Sequence, residues 1–270
     1  MAVITISRQT ESLGTEIARE VARRLQYEYL DREGIGQGLT AHGLAVPEVE
    51  RFDEKKPSFW ANWQIQGRKF FHAMQMVIYE AARRGNVVIV GRGGQVLLKG
   101  IPGVLHVRII APLQARVQRL MAKEGGNEKE LLQILKQSDV DSGGFIRTFL
   151  DADWEDADLY DLTISTDKLP VDAAVDMILR AIPAVEAMKD ISRSQNRMGD
   201  LILQLKVEAV LLNANPRNIR IEVTGGVVTL YGTVSSSWEG SSYVSMVSGI
   251  EGVQKVNNSI VILAKSRMRG

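Results

Sequence analysis

Val3-Ile4-Thr5-Ile6-Ser7-Arg8-Gln9-Thr10-Glu11-Ser12-Leu13-Gly14-Thr15 is the stretch whose reading decides the fold. Val3 to Ser7 is a β-branched apolar run, the pattern of a short buried parallel strand. Arg8 to Gly14 is a polar turn. From Thr15 onward Ile17, Ala18, Val21, Ala22 and Leu25 share one face at helical spacing. A strand, a loop of phosphate size and a helix N-terminus form an arrangement in which loop amides hold an anion. A full phosphate-loop pattern carries two glycines and a lysine before Ser or Thr. With Thr15 in the Ser/Thr place, Gly14 stands where the lysine belongs and Leu13 where the second glycine belongs. The loop is degenerate.

Working outward, Gln26 to Asp31 predicts a second short strand that ends on a carboxylate, with Arg32 opening the next element. In an open α/β sheet the carboxyl ends of strands face the ligand crevice, so Asp31 and Arg32 are placed to meet a ligand. An N-cap on the following helix is an equal reading for Asp31. Residues 36–66 read as an irregular insertion of the kind that covers a site, with Trp60 and Trp63 more at home in a small helical core. Gln66 to Arg84 predicts a helix that Gly85 ends. Val87 to Val90 predicts a buried strand running into Gly91-Arg92-Gly93-Gly94. Glycines there permit close backbone approach, and Arg92 offers a planar donor fork for phosphate. Val104 to Ile110 predicts another buried strand, followed by a helix with Arg116, Arg119 and Lys123, whose arginines could face the crevice although a solvated face is the more common outcome. Glu124 to Leu150 predicts a helical excursion interrupted at Gly143-Gly144. The acidic run Asp151 to Asp158 predicts a solvated turn rather than a Mg²⁺ cage. A fifth strand at Asp161–Ser165 and a helix at Pro170–Ile182 complete a doubly wound parallel sheet.

Ala184 to Met198 reads as helix tail and linker, and a different pattern follows. A helix at Leu201–Leu212, a hairpin across Thr224-Gly225-Gly226, a helix at Ser236–Ser248 and a strand at Val253–Leu263 make a small α+β module. Composition excludes several chemistries. The 270 residues carry a net charge of +1, without the basic footprint of a nucleic-acid binder. The absence of cysteine removes disulfides, thiolate catalysis and thiolate metal sites, and three scattered histidines form no metal motif. With no signal-like start and no apolar run near the ~20 residues that span a bilayer, a cytoplasmic protein is expected.

These segments resemble known families. Ile4 to Gln9, Tyr29-Leu30-Asp31-Arg32, Val88 to Gly93, Ile110-Ala111-Pro112 with Arg116, and Leu159 to Thr166 are similar, in order, to the cytidylate kinase-like family of P-loop proteins. Ile221 to Val234 and Ile250 to Asn258 resemble a BON domain, a unit associated with phospholipid or periplasmic surfaces in other proteins. The resemblance implies a kinase-like domain at 1–182, a linker at 183–197 and a BON-like domain at 198–265. It implies phosphoryl transfer from ATP with Mg²⁺ to a nucleoside monophosphate such as CMP. Ser7, Arg8, Ser12, Gly14 and Thr15 would bind the cofactor. Asp31, Arg32, Gly91 and Arg92 would bind the substrate. Arg92, Lys136 and Arg147 would supply catalytic charge, with Arg8 a further candidate for the cationic clamp and the 136–147 segment serving as lid. The family usually has Gly-Ser-Gly-Gly where this chain has Glu11-Ser12-Leu13-Gly14, and an arginine soon after the lid aspartate where this chain has Ser142. Those departures imply impaired transfer. The alternative is a non-catalytic nucleotide sensor or scaffold whose BON module binds a membrane surface or a protein.

Overall fold

The computed structural model describes residues 2–44, 67–187, 190–214 and 218–263, and it divides into two compact units, residues 1–191 and 192–270. In the first unit the chain runs β1 (Val3–Arg8), α1 (Gly14–Leu25), β2 (Glu28–Leu30), α2 (Arg32–Ala41), α3 (Arg68–Arg84), β3 (Val87–Val90), α4 (Gly94–Leu97) and β4 (Val104–Ile110). It continues through α5 (Leu113–Glu124), α6 (Glu128–Leu150), β5 (Leu162–Ser165) and α7 (Val171–Ala187). All five strands are parallel, in the order β2-β3-β1-β4-β5. β1 is therefore central, and its carboxyl end lies beside those of β3 and β4, where the crevice of such a sheet forms.

Alternation along β1 sorts the two faces. Ile4 and Ile6 are fully buried against Ile17, Ala18 and Val21 of α1 and Ala174, Val175 and Ile178 of α7. Thr5 points to the other face, where its hydroxyl meets His106 Nδ1 at 2.8 Å and its methyl approaches Gly94 of α4. Helices thus cover both faces, which explains strands that are apolar throughout.

Three element readings need correction. Residues 36–41, expected to be irregular, continue α2; Gly38 is tolerated because α2 lies close on α3, and a side chain at residue 38 would stand 2.8 Å from a Val77 methyl. The Gly143-Gly144 pair does not interrupt α6, which is one helix over 23 residues. Buried Leu131, Leu135, Phe145 and Ile146 anchor it on both sides of the pair, and that packing outweighs the roughly 1 kcal/mol per glycine that propensity sets against it. Residues 183–197, expected as helix tail and linker, are helical to Ala187 and again from Ile191. Trp60 and Trp63 lie outside the described residues.

The second unit comprises α8 (Ile191–Ala214), β6 (Ile219–Thr224), β7 (Val227–Val234), α9 (Ser237–Ser248) and β8 (Lys255–Ile262). Its sheet has the order β6-β7-β8, antiparallel then parallel. Leu203, Val207 and Leu211 of α8 and Tyr243 and Val247 of α9 pack on Val223, Val228 and Leu230. The Asp200 carboxylate accepts from the Gly225 and Gly226 amides at 2.9 and 3.1 Å, tying α8 to the hairpin turn. Among the described residues no helix is long and apolar enough to cross a membrane.

Candidate nucleotide site

Beyond β1 the chain turns through residues 9–13 and enters α1 at Gly14. Glu11 and Leu13 both have left-handed backbone, φ 57° and 61°. A non-glycine residue there costs about 1–2 kcal/mol, and such strain persists only where surrounding structure enforces it. The enforcing contacts are specific. The Ser12 hydroxyl and amide both donate to the Gln9 carbonyl, at 2.7 and 3.2 Å. The Thr166 hydroxyl, just past β5, donates to the Ser12 carbonyl at 2.9 Å. Arg119 of α5 donates to the Glu11 carbonyl at 3.1 Å and to the Thr166 carbonyl at 2.7 Å. Arg116 grips Asp139 of α6 with two bonds of 3.1 and 2.7 Å and reaches the Thr10 carbonyl at 3.4 Å. The Thr10 and Ser138 hydroxyls meet at 2.7 Å.

A trans peptide points its N–H away from its C=O. Holding the carbonyls of Thr10 and Ser12 on one side therefore turns the amides of Glu11 and Leu13 to the other. The amides of Thr10, Glu11, Leu13, Gly14 and Thr15 find no acceptor among the described residues. Unpaired amides on either side of the bonded Ser12 amide, continued by a helix N-terminus, give the loop the form of a nest, an arrangement suited to an anion. The loop keeps the shape that glycines usually permit without having the glycines.

Charge follows the same logic. An unpaired carboxylate at Glu11 would oppose phosphate, but Glu11 Oε1 accepts from Lys123 Nζ at 3.1 Å. That carboxylate also raises the Lys123 pKa. The face of α5 carrying Arg116, Arg119 and Lys123 is thus not simply solvated, as its sequence suggested; it braces the loop. The signal for this was present in the i, i+3, i+7 spacing of the three cations, but their target lay more than 100 residues away in the sequence.

Across the sheet end, Gly91, Arg92 and Gly93 all have positive φ (75°, 53° and 73°), and Arg92 is buried. Ser7, Arg8, Arg92, Ser142 and Trp154 line a cleft of ≈ 20 Å³. That is room for little more than one water. Trp154 fills the space: its indole N–H donates to Ser7 Oγ at 2.7 Å, and it is 5% exposed. Arg108 donates to the Trp154 carbonyl and lies 4.8 Å from the Trp154 ring and 5.4 Å from that of Tyr160. The Tyr160 hydroxyl donates to the same carbonyl at 2.8 Å, and burial pushes its pKa up. The acidic run 151–158 is therefore more than a solvated turn. Its carboxylates make local turns, Asp153 accepting from Glu155 N and Asp156 from Asp158 N, while Trp154 is driven inward.

The remaining expected residues divide. Asp31 is the N-cap of α2, its Oδ1 accepting from Glu33 N and Gly34 N at 3.0 and 3.2 Å. Arg32 is exposed at the start of the same helix. Lys136 and Arg147 are exposed on α6 and do not line the cleft. Among the described residues no group of three His, Asp or Glu is placed to hold a metal ion.

The chain has relatives. Residues 3–168 match the cytidylate kinase-like family. The chain belongs to that family. Residues 199–264 match the BON domain. The chain is 30% identical over 183 residues to a cytidylate kinase of Methanocaldococcus jannaschii, covering 67% of this chain and 97% of that protein. It is 23% identical over 199 residues to a cytidylate kinase of Pyrococcus horikoshii, covering 73% and 97%. A solved structure of an uncharacterized protein from Eubacterium ventriosum superposes with a TM-score of 0.55 at 22% identity, covering 68% of this chain and 99% of that one, a likeness of fold. In this family member the loop departs from the two-glycine pattern, yet its backbone is held in a nest.

Proposed function

We propose that the cytidylate kinase-like domain, residues 1–182, binds ATP with Mg²⁺ and transfers a phosphoryl group to a nucleoside monophosphate such as CMP, at a rate impaired by the degenerate loop. The observation that carries this reading is the nest of five amides, at Thr10, Glu11, Leu13, Gly14 and Thr15, that find no acceptor among the described residues. MgATP, when bound, supplies the phosphoryl group and part of the charge neutralisation. The loop amides hold phosphate oxygens, and the Thr15 hydroxyl stands in the Ser/Thr place that faces the metal in phosphate loops. Such transfer needs positioning and positive charge more than covalent chemistry from the protein. On the acceptor side Arg92 and the Gly91 and Gly93 turns offer phosphate contacts, with Asp31 and Arg32 at the neighbouring strand end. A nucleoside monophosphate does not fit in ≈ 20 Å³, so its entry requires Trp154 or α6 to move. The test is a coupled assay of ADP formation from MgATP with CMP, UMP and AMP in turn. Turnover with one of them, lost in Arg92→Ala, supports the reading; ADP formation indifferent to every monophosphate contradicts it.

A second reading, a nucleotide sensor or scaffold, is favoured by Ser142 in the lid and by the closed cleft. In that reading the BON module contacts a phospholipid surface or a protein partner, and monophosphate binds without turnover.

A further inference from the structure

The two departures at the ends of the loop are one exchange. In the pattern Gly, four residues, Gly-Lys-Ser/Thr, Thr15 in the last place puts residue 8 in the first glycine place and residue 14 in the lysine place. This chain has arginine at the first and glycine at the second. The structure joins the two positions in space. A side chain on residue 14 would run into the Arg8 Cβ and stand 3.0 Å from its Cγ. The Arg8 stem thus occupies the room in which a lysine at residue 14 would begin. Its guanidinium continues across the cleft, Nη1 standing 2.8 Å from where a Cβ on Gly91 would lie, and the φ of 75° at residue 91 favours glycine there. Arg8 lines the cleft, and its guanidinium has no hydrogen-bond or ion-pair partner among the described residues.

We propose that Arg8 is the catalytic cation of this site, taking over from the opposite end of the loop the charge that a lysine at residue 14 supplies in the full pattern. The inference rests on the nucleotide-binding reading above. Of the cations expected to form the clamp, it gives Arg8 the role in place of Arg92, Lys136 and Arg147. Arg8 runs from the nest, at Gly14, to the acceptor-side turn, at Gly91. A cation on that line touches the phosphate that passes between the two. A guanidinium also offers two parallel donors where an ammonium is a point charge.

The exchange makes a reciprocal prediction. Arg8→Gln keeps the Cβ–Cδ stem and a polar tip but removes the charge and the reach of the guanidinium, and weakens MgATP binding roughly ten- to hundred-fold, the loss expected for a charge-assisted hydrogen bond. Gly14→Lys alone clashes with the Arg8 stem and also fails to bind. Arg8→Gly with Gly14→Lys removes the stem, Cβ included, puts the first glycine and the lysine in the places the full pattern gives them while Leu13 stays, and recovers binding to within several-fold of the wild type. The experiment is calorimetric titration of each full-length variant with MgATP, with thermal melts and circular dichroism to establish that each is folded. Recovery in the double variant, with loss in a folded Arg8→Gln, supports the inference. Wild-type binding that a folded Arg8→Gln leaves intact overturns it while keeping the nucleotide-binding reading. Loss in Arg8→Gln that a folded double variant does not recover overturns the exchange. Absence of MgATP binding by the wild type overturns both readings, whatever the variants do.

Discussion

Thr166 shows how much of the site rests on single side chains. Buried at the end of β5, its hydroxyl donates to the Ser12 carbonyl and accepts from Arg119 at 3.0 Å. Thr166→Val keeps the shape and strands both partners, so it should cost about 1–3 kcal/mol, read as a lower urea midpoint with unchanged slope. Glu11 and Lys123 form a second unit. Lys123→Ala should weaken MgATP binding by leaving a bare carboxylate at the nest, and the same change in a Glu11→Gly background should not. The coupling in that cycle should be about 0.2–1 kcal/mol, since Lys123 is exposed. His106 gives a pH dependence. Burial lowers its pKa from the ordinary 6.5, against the raising effect of Asp161. The folded protein therefore keeps a neutral imidazole while the unfolded chain takes up a proton, and stability falls as pH drops through 6.5 toward the lower folded value. Urea unfolding between pH 7.5 and 5.5 should show this decline, and His106→Gln should flatten it. None of these partnerships was legible in the sequence, because each joins residues separated by about 50 to 150 positions. Asp31 was legible as one of two alternatives, and the bonds to Glu33 and Gly34 show the cap.

At the level of elements, α5 and α6 turn a degenerate loop into a held one. Arg116→Ala removes the buried half of the pair with Asp139 and the contact to the Thr10 carbonyl, and should destabilise by roughly 2–3 kcal/mol, more than a surface pair would. Helix α6 offers the opposite test. Gly143 lies mid-helix, and an added Cβ would meet only the Trp154 ring, at an ordinary 4.0 Å. Gly143→Ala should therefore raise stability by about 0.5–1 kcal/mol, seen as a higher melting temperature. β1, β3 and β4 were legible because burial on both faces leaves β-branched apolar runs. The continuity of α2 and α6 was not, because their glycines obey tertiary packing: Gly38 admits Val77, and α6 is anchored on either side of Gly143-Gly144.

Taken whole, the chain couples a cytidylate kinase-like unit to a BON unit with its own core. A fragment of residues 1–191 should fold by itself, unfold in one transition and bind MgATP as the full chain does; an insoluble or molten fragment would contradict that independence. The two units were legible from the change of pattern near residue 198, whereas the helical character of the stretch between them was hidden by its polar composition. The central claim is that residues 10–15 still cradle phosphate although Glu11 and Leu13 replace glycines. The most direct measurement is calorimetric titration of the full-length protein with MgATP, repeated with Leu13→Gly. One saturable site in the wild type, kept or tightened when Leu13→Gly relieves the left-handed strain, is the predicted result. No saturable heat up to millimolar MgATP in either protein would contradict it, and the nest would then be a structural turn.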